Sequence, residues 1–209
     1  VLRNVPLFAE LNEAELEKVS KVSVRKRVER SAFVVRAGDS TDSLYILLTG
    51  RAKVTNHDEE GKEIILAWLG PGEFFGEMGL IDGSPRSANV VAAEPCELLV
   101  LGKEAFQRCL QDNFQVAQKL MQILVRRLRE ADRNIESLAL LDVYGRVARL
   151  LLELSEDDEG RRVVKKKISK QDMARMIGAS REMVSKVMRD LELSGYILCE
   201  NNQVIILGA

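Results

Sequence analysis

The sequence predicts an α+β chain in three parts: an N-terminal β-sandwich or barrel, a long helix, and a small helical module that ends in a β-hairpin. Three observations carry that expectation. Between Val22 and Val100 short apolar runs recur at close spacing with turn residues between them. From Ala105 to Leu141 there is no glycine or proline, and apolar residues alternate at fours and threes. Beyond Lys170, two amphipathic stretches flank Gly178-Ala179. The expected boundaries are 1–104, 105–141 and 142–209.

Composition narrows the class. The 209 residues are 46% hydrophobic and 30% charged, enough to bury the cores of one or two globular domains. Net charge is −1, so nucleic-acid binding would need a local patch. Cys96, Cys109 and Cys199 are widely spaced with no CxxC, against a disulfide framework or a zinc site. They are expected as buried, reduced thiols of a cytoplasmic protein. No signal peptide or long apolar run is seen, and no membrane contact is expected. The chain opens on Val1, so native residues are expected before it.

The elements follow in order. Asn12 with Glu15 three residues later is an approximate helix start, expected to begin a short lid helix behind Val5-Pro6-Leu7-Phe8. Strands are expected around Val22 and Val24, at 33–35, 44–48, near Val54, at 64–69 and at 96–100. Gly38, Gly50, Gly61 and Gly70-Pro71-Gly72 punctuate them. Asp58 to Glu63 forms an acidic, exposed hairpin tip.

The stretch 70–92, GPGEFFGEMGLIDGSPRSANVVA, organises the first part. Apolar flanks at Phe74-Phe75 and Val90-Val91-Ala92 enclose three glycines (Gly76, Gly79 and Gly83), a carboxylate (Glu77) and an Arg-Ser pair (Arg86-Ser87). Gly76 allows close backbone approach. Glu77-Met78-Gly79-Leu80-Ile81 suits one helical turn, whose first amides favour an anion. Arg86 adds a guanidinium fork and Ser87 one more donor. Together they describe a cradle for one phosphate, with Glu77 placed to accept from a hydroxyl.

In the long stretch, Ala117, Met121, Leu124, Leu128, Ala131, Ile135 and Leu138 form a two-stranded coiled-coil seam. Its simplest partner is a second copy of the same helix; the alternative is the chain's own β-structure. Asp142 is expected to cap a helix over 144–153. A charged loop is expected at 156–160.

Residues 161–189 hold ten basic side chains against Asp172 and Glu182, a local excess of eight positive charges. Ser169 with Asp172 starts one helix over 170–177, and Ser180 caps the next over 181–193. Gly195 sits at a C′-type position. The second helix buries Val184, Val187, Met188 and Leu191 and wets Arg181, Glu182, Ser185, Lys186 and Arg189. An N-terminal arginine grips guanine O6 and N7, and a neighbouring glutamate accepts from cytosine N4. Lys165, Lys166 and Lys167 suit phosphates rather than bases. Residues 196–198 and 204–207, about Asn201-Asn202, suggest a small β-hairpin.

On these residues the chain resembles the CRP/FNR family of bacterial regulators. GEMGLIDGSPRSANVVA is similar to the phosphate-binding cassette of cyclic-nucleotide-binding domains, and 170–193 to the family's helix-turn-helix. The resemblance spans about residues 5 to 208. It implies an eight-stranded jelly-roll (a double-stranded β-helix), a long dimerisation helix and a winged helix-turn-helix. It implies that Gly76, Glu77, Met78, Arg86 and Ser87 hold a cyclic nucleotide, with Glu77 on the ribose 2′-hydroxyl and Arg86 and Ser87 on the phosphate. Arg127 matches an arginine that meets the cassette glutamate. Ser169, Gln171, Ser180, Arg181, Glu182, Ser185 and Lys186 match the DNA-contacting positions, with Lys186 where an arginine is typical. The implied partners are palindromic promoter DNA, a second copy, and RNA polymerase, one contact being the 58–63 loop.

The purine is left open. The catabolite-activator branch places a Thr-Ser pair where this chain has Ala131-Asp132. A carboxylate only accepts, which suits the paired donors of guanine better than adenine. Asp132 is thus a candidate reader for cyclic GMP, cyclic AMP being the family's usual effector; Arg129 or Arg133 could instead pair with it. Cyclic di-GMP, or no small ligand, is the alternative. The single histidine, His57, and the absence of a cysteine cluster leave haem and iron–sulfur centres unsupported, and no metal is expected. An enzyme acting on cyclic nucleotides would need metal ligands or a general-base pair, and the sequence offers neither. A nucleotide-binding subunit that ignores DNA is the third reading.

Overall fold

A computed structural model describes residues 2–158, 160–165, 168–200 and 203–207. The chain divides into two compact units, Val1–Leu128 and Arg129–Ala209.

The first unit opens with two 3-10 turns, Leu2–Asn4 and Pro6–Phe8, and helix α1, Glu13–Lys21. Asn12 Oδ1 accepts from the Glu15 amide at 3.0 Å and Glu15 Oε2 accepts from the Asn12 amide at 2.8 Å. The capping box is therefore complete. Eight strands follow: β1 Ser23–Val28, β2 Phe33–Val35, β3 Ser43–Thr49, β4 Ala52–His57, β5 Glu63–Leu69, β6 Phe74–Phe75, β7 Asn89–Ala92 and β8 Cys96–Gly102. A short helix, α2, Met78–Asp82, separates β6 from β7. The strands form two antiparallel four-stranded sheets, β1-β8-β3-β6 and β2-β7-β4-β5. This is the expected jelly-roll.

Side-chain alternation fills two cores from one sheet. Leu47 and Leu98 join Val35, Ala52, Leu69 and Val90 in one core. Leu44, Ile46, Leu99 and Leu101 join Phe8, Phe106, Val116 and Leu120 in the other.

The glycine- and proline-free stretch is two helices rather than one: α3, Lys103–Asp112, and α4, Phe114–Leu140. Asn113 divides them. It leaves the helical region (φ −134°, ψ 91°), and its Nδ2 donates to the Cys109 carbonyl at 3.1 Å. An asparagine side chain that bonds nearby backbone competes with the helix ladder. Its own carbonyl then accepts from Val116 at 3.0 Å, starting α4.

Helix α4 has two apolar faces. Val116, Leu120 and Ile123 are buried in the first unit's core, with Leu124 partly against it. Met121, Leu128, Ile135 and Leu138 are 53–65% exposed. The chain's own β-structure thus takes a different set of side chains from most of the heptad seam.

The second unit holds α5, Val143–Leu154; β9, Glu156–Asp158; β10, Arg161–Val164; α6, Lys170–Ile177; α7, Arg181–Leu193; β11, Ile197–Glu200; and β12, Gln203–Ile206. Asp142 Oδ1 caps α5 through the Gly145 amide at 2.8 Å. Val147, Leu151, Met173, Ala174, Val184, Val187, Met188 and Leu191 form its core. The wing is larger than a hairpin: the sheet runs β11-β12-β10-β9. The expected charged loop at 156–160 includes strand β9, because Asp157 and Asp158 pair opposite Arg162 and Arg161. Opposite charges across a ladder stabilise it. The readings of Lys166, Lys167, Asn201 and Asn202 fall outside the described residues.

Two further expectations change. Cys96 and Cys109 are buried but Cys199 is exposed, on β11. Glu63 is not an exposed tip residue: its side chain is 14% exposed and pairs with Lys53 Nζ at 2.7 Å.

Candidate functional site

The cassette closes around Arg86. Its side chain is 4% exposed, reaching inward between β3 and the turn that follows β6. Nη1 donates to the Gly76 carbonyl at 2.8 Å and Nη2 to the Ser43 carbonyl at 2.8 Å. Asp42 Oδ1 lies 3.6 Å from Nη2. The guanidinium carbon stands 5.5 Å from the centroid of the Tyr45 ring, which stacks on Phe75. Burial raises the Tyr45 phenol above its ordinary value, against the opposing pull of Arg86.

Gly76 explains why this approach is possible. Its φ is +85°, and a Cβ there would collide with Arg86 Nη1. Any side chain at 76 would push the guanidinium out.

Helix α2 follows at once. The Leu80 and Ile81 amides both donate to the Glu77 carbonyl, at 3.0 and 3.1 Å. The amides before them are those that a helix start leaves open. Ser87 Oγ lies 3.8 Å from Met78 Sδ, so the two ends of the cassette meet. Both side chains are exposed.

Glu77 is buried, its side chain only 4% exposed. Arg127, on α4, donates through Nη1 to Glu77 Oε1 at 2.8 Å and through Nη2 to the Phe74 carbonyl at 2.6 Å. Its guanidinium also sits 4.8 Å from the Phe74 ring centroid. The long helix is thereby tied to the cassette within one compact unit. The structure brings Gly76, Glu77, Met78, Arg86, Ser87 and Arg127 together. Asp132 belongs to the second unit, where its side chain is exposed. Sequence reasoning missed Asp42, Ser43 and Tyr45. Ser43 acts through a backbone carbonyl, which carries no sequence signal, and Asp42 is one exposed carboxylate among many.

Chemically the site offers a buried cation, open backbone amides, a hydroxyl and a carboxylate. That set suits an anion that also bears a hydroxyl.

In the second unit Ser180 Oγ accepts from the Met183 amide at 3.2 Å and starts α7. Arg181, Glu182, Lys186 and Arg189 are exposed and Ser185 half-buried, on the face opposite Val184, Val187, Met188 and Leu191. Gly178 takes φ +64° in the tight turn between α6 and α7. After α7 the Gly195 amide donates to Glu192 and the Tyr196 amide to Leu191, at 3.1 and 3.0 Å. That is a Schellman stop. Ser169 Oγ accepts from the Asp172 amide at 3.0 Å and donates to Asp172 Oδ2 at 2.9 Å. Its single proton is therefore engaged within the helix start. Gln171 is exposed beside it.

Comparison with known proteins agrees with both halves. Residues 25–113 match the cyclic nucleotide-binding domain and residues 145–208 the Crp-like helix-turn-helix domain. The chain is a member of the CRP/FNR family of transcription regulators. Among CRP-family relatives, the cAMP-activated global transcriptional regulator CRP of Haemophilus influenzae is 36% identical over 84% of this chain and 80% of its own. The cAMP-activated regulator Vfr of Pseudomonas aeruginosa is 32% identical over 92% and 94%. Among solved structures, the c-di-GMP responsive regulator CLP of Xanthomonas campestris is 29% identical, with a TM-score of 0.80 over 95% of this chain and 100% of that one. The CRP/FNR family consists of regulators rather than enzymes. This member therefore combines a cyclic nucleotide-binding domain with a DNA-binding module. Among the described residues no helix is long and apolar enough to cross a membrane.

Proposed function

We propose that the chain is a cytoplasmic, homodimeric transcription regulator whose DNA binding is set by a cyclic nucleotide held in the Gly76–Ser87 cassette. The observation that carries this reading is the Arg127–Glu77 pair, which links the carboxylate assigned to the ribose directly to α4. Arg86 and Ser87 hold the phosphate, with the open amides at the start of α2. Glu77 accepts from the 2′-hydroxyl through the oxygen turned away from Arg127. A ligand that engages Glu77 thereby changes what α4 is bonded to. Only a difference in affinity between two arrangements of that helix can switch the protein.

Cyclic AMP is the effector that the curated relatives' names favour. The name of the CLP regulator supports cyclic di-GMP as the second reading. Asp132 is put forward as a purine reader for cyclic GMP on its acceptor-only chemistry. The exposed seam of α4 supports a second copy as its partner. Two copies would offer two α7 helices to a palindromic site, with Arg181 and Glu182 on base edges and Lys186, Ser180, Ser185 and Gln171 on bases or backbone. RNA polymerase is the expected further partner, with the Asp58–Lys62 turn as one contact.

Calorimetric titration with cyclic AMP, cyclic GMP and cyclic di-GMP, with promoter binding measured in parallel, tests the reading. The expected result is cyclic AMP binding near one per subunit and ligand-stimulated DNA binding. Glu77→Ala should remove the stimulation and spare basal binding. Equal loss of both would sink the coupling. A cyclic GMP preference abolished by Asp132→Thr would assign that side chain to the base. Silence with all three nucleotides would retire the effector while leaving the DNA-binding claim.

A further inference from the structure

The loop between β2 and β3 carries an exposed carboxylate, Asp42, beside the cassette. Asp42 Oδ1 lies 3.6 Å from Arg86 Nη2, and the side chain is 78% exposed. The loop is laced to the cassette on both sides. The Gly38 amide donates to the Arg86 carbonyl at 2.8 Å, and the Arg86 amide to the Asp39 carbonyl at 2.9 Å. Thr41 Oγ1 donates to the Ser84 carbonyl at 3.0 Å. The Asp42 carbonyl itself accepts from the Lys103 amide at 2.8 Å. These bonds hold the backbone on both sides of Asp42 against the cassette, and its carboxylate lies 3.6 Å from the guanidinium.

Its electrostatic weight follows from what else touches Arg86. The two hydrogen-bond acceptors, the Gly76 and Ser43 carbonyls, are neutral. They satisfy donors without cancelling charge. A buried cation without a counter-charge is costly, and Asp42 is the carboxylate that the structure places beside it. The same field reaches the Tyr45 phenol, where Asp42 and Arg86 act in opposite directions. An anion arriving at Arg86 meets this exposed charge as well.

We infer that Asp42 is a resident counter-ion of Arg86 that weakens the binding of anionic ligands there and so sets the effector concentration at which the site fills. The inference rests on the reading that Arg86 holds a cyclic phosphate. It also fixes a sign that a structural role would not produce: removing the charge tightens binding.

The test compares wild type, Asp42→Asn and, as a net-charge control, Glu59→Gln on the β4–β5 turn. Each is titrated with cyclic AMP and cyclic GMP at low salt and again at about 0.5 M salt. Asp42→Asn keeps the shape of an exposed side chain, and a melting curve checks that it folds. The expected result is a dissociation constant lowered by about threefold or more at low salt, for two like charges ~6 Å apart in a water-like medium. The gain should shrink in high salt, and Glu59→Gln should match wild type. Unchanged or weaker binding by Asp42→Asn, with wild type binding normally, overturns the inference and leaves the cyclic-nucleotide reading intact. Failure of both proteins to bind either nucleotide overturns both. Binding by Asp42→Asn alone would be the strongest support.

Discussion

Gly76 and Cys109 show how single residues set the chemistry of this protein. Gly76 supplies no side chain, and that lets the buried guanidinium of Arg86 rest on its carbonyl. Arg127 supplies the reverse: removing it would strand Glu77, 4% exposed, without its cation. Cys109, on α3 and buried in the core that holds Phe8, Phe106 and Val116, has its thiol pushed up to about 11 from 9.0 by burial first, with Asp112 and Glu15 adding to it. The folded state thus holds the proton to higher pH than the unfolded chain. Stability should be unaffected below about pH 9, fall as pH rises toward 11, and level off beyond. The steepest loss this group can cause is about 1.4 kcal/mol per pH unit. Denaturant titrations from pH 8 upward should show a shallower alkaline decline in Cys109→Ala, offset by about 1 kcal/mol at every pH for the lost volume. An identical slope in both proteins would show that the thiol does not titrate as described.

Helix α4 presents one apolar face to its own core and leaves another exposed. Its buried set, Val116, Leu120 and Ile123, is spent on the chain's own core. Its exposed set, Met121, Leu128, Ile135 and Leu138, faces solvent in one copy. Two apolar faces on one helix imply two partners. Leu128→Asp and Ile135→Asp should each leave the fold intact, since these side chains are 62% and 65% exposed. A charge within a paired seam should weaken self-association by about 100-fold or more. Sedimentation should then report a single chain at concentrations where wild type is paired; unchanged association would remove the seam from the interface. The edge strand β1 makes the opposite choice. Arg25, Lys26 and Arg27 line it, all exposed, and charge on a free edge discourages strand addition.

At the scale of the whole molecule, charge is divided between its parts. The cassette buries Arg86 with one exposed carboxylate, Asp42, 3.6 Å away, whereas residues 161–189 hold an excess of eight positive charges on a nearly neutral chain. Affinity for DNA should therefore be steep in salt, because phosphate contacts release counterions. Arg181→Ala should cost about 1–3 kcal/mol on the cognate site, relax the preference at one base and leave the salt slope nearly unchanged. Gel-shift titrations at several salt concentrations would separate the two effects. A loss confined to the slope would make Arg181 a phosphate contact instead.

Elements whose cause is local were legible from the residues alone. Caps at Asn12, Asp142 and Ser180 and the turn at Gly178 all appear where local chemistry puts them. The cassette was legible for the same reason, since its glycines, Glu77, Arg86 and Ser87 lie within a dozen residues. Other features turn on which of several possible partners the folded chain selects, some nearby and some far off in sequence. Asn113 breaks a stretch with no breaker in its composition, by bonding back to Cys109. Glu156–Asp158 becomes a strand because Arg161 and Arg162 lie opposite. Glu63 leaves the exposed tip because Lys53 reaches it. Asp42 and Ser43 meet Arg86 across 43 or more residues of sequence. A residue's own type fixes its local bonds, while its electrostatic partners are fixed only once the sheets have brought distant carbonyls and carboxylates to it.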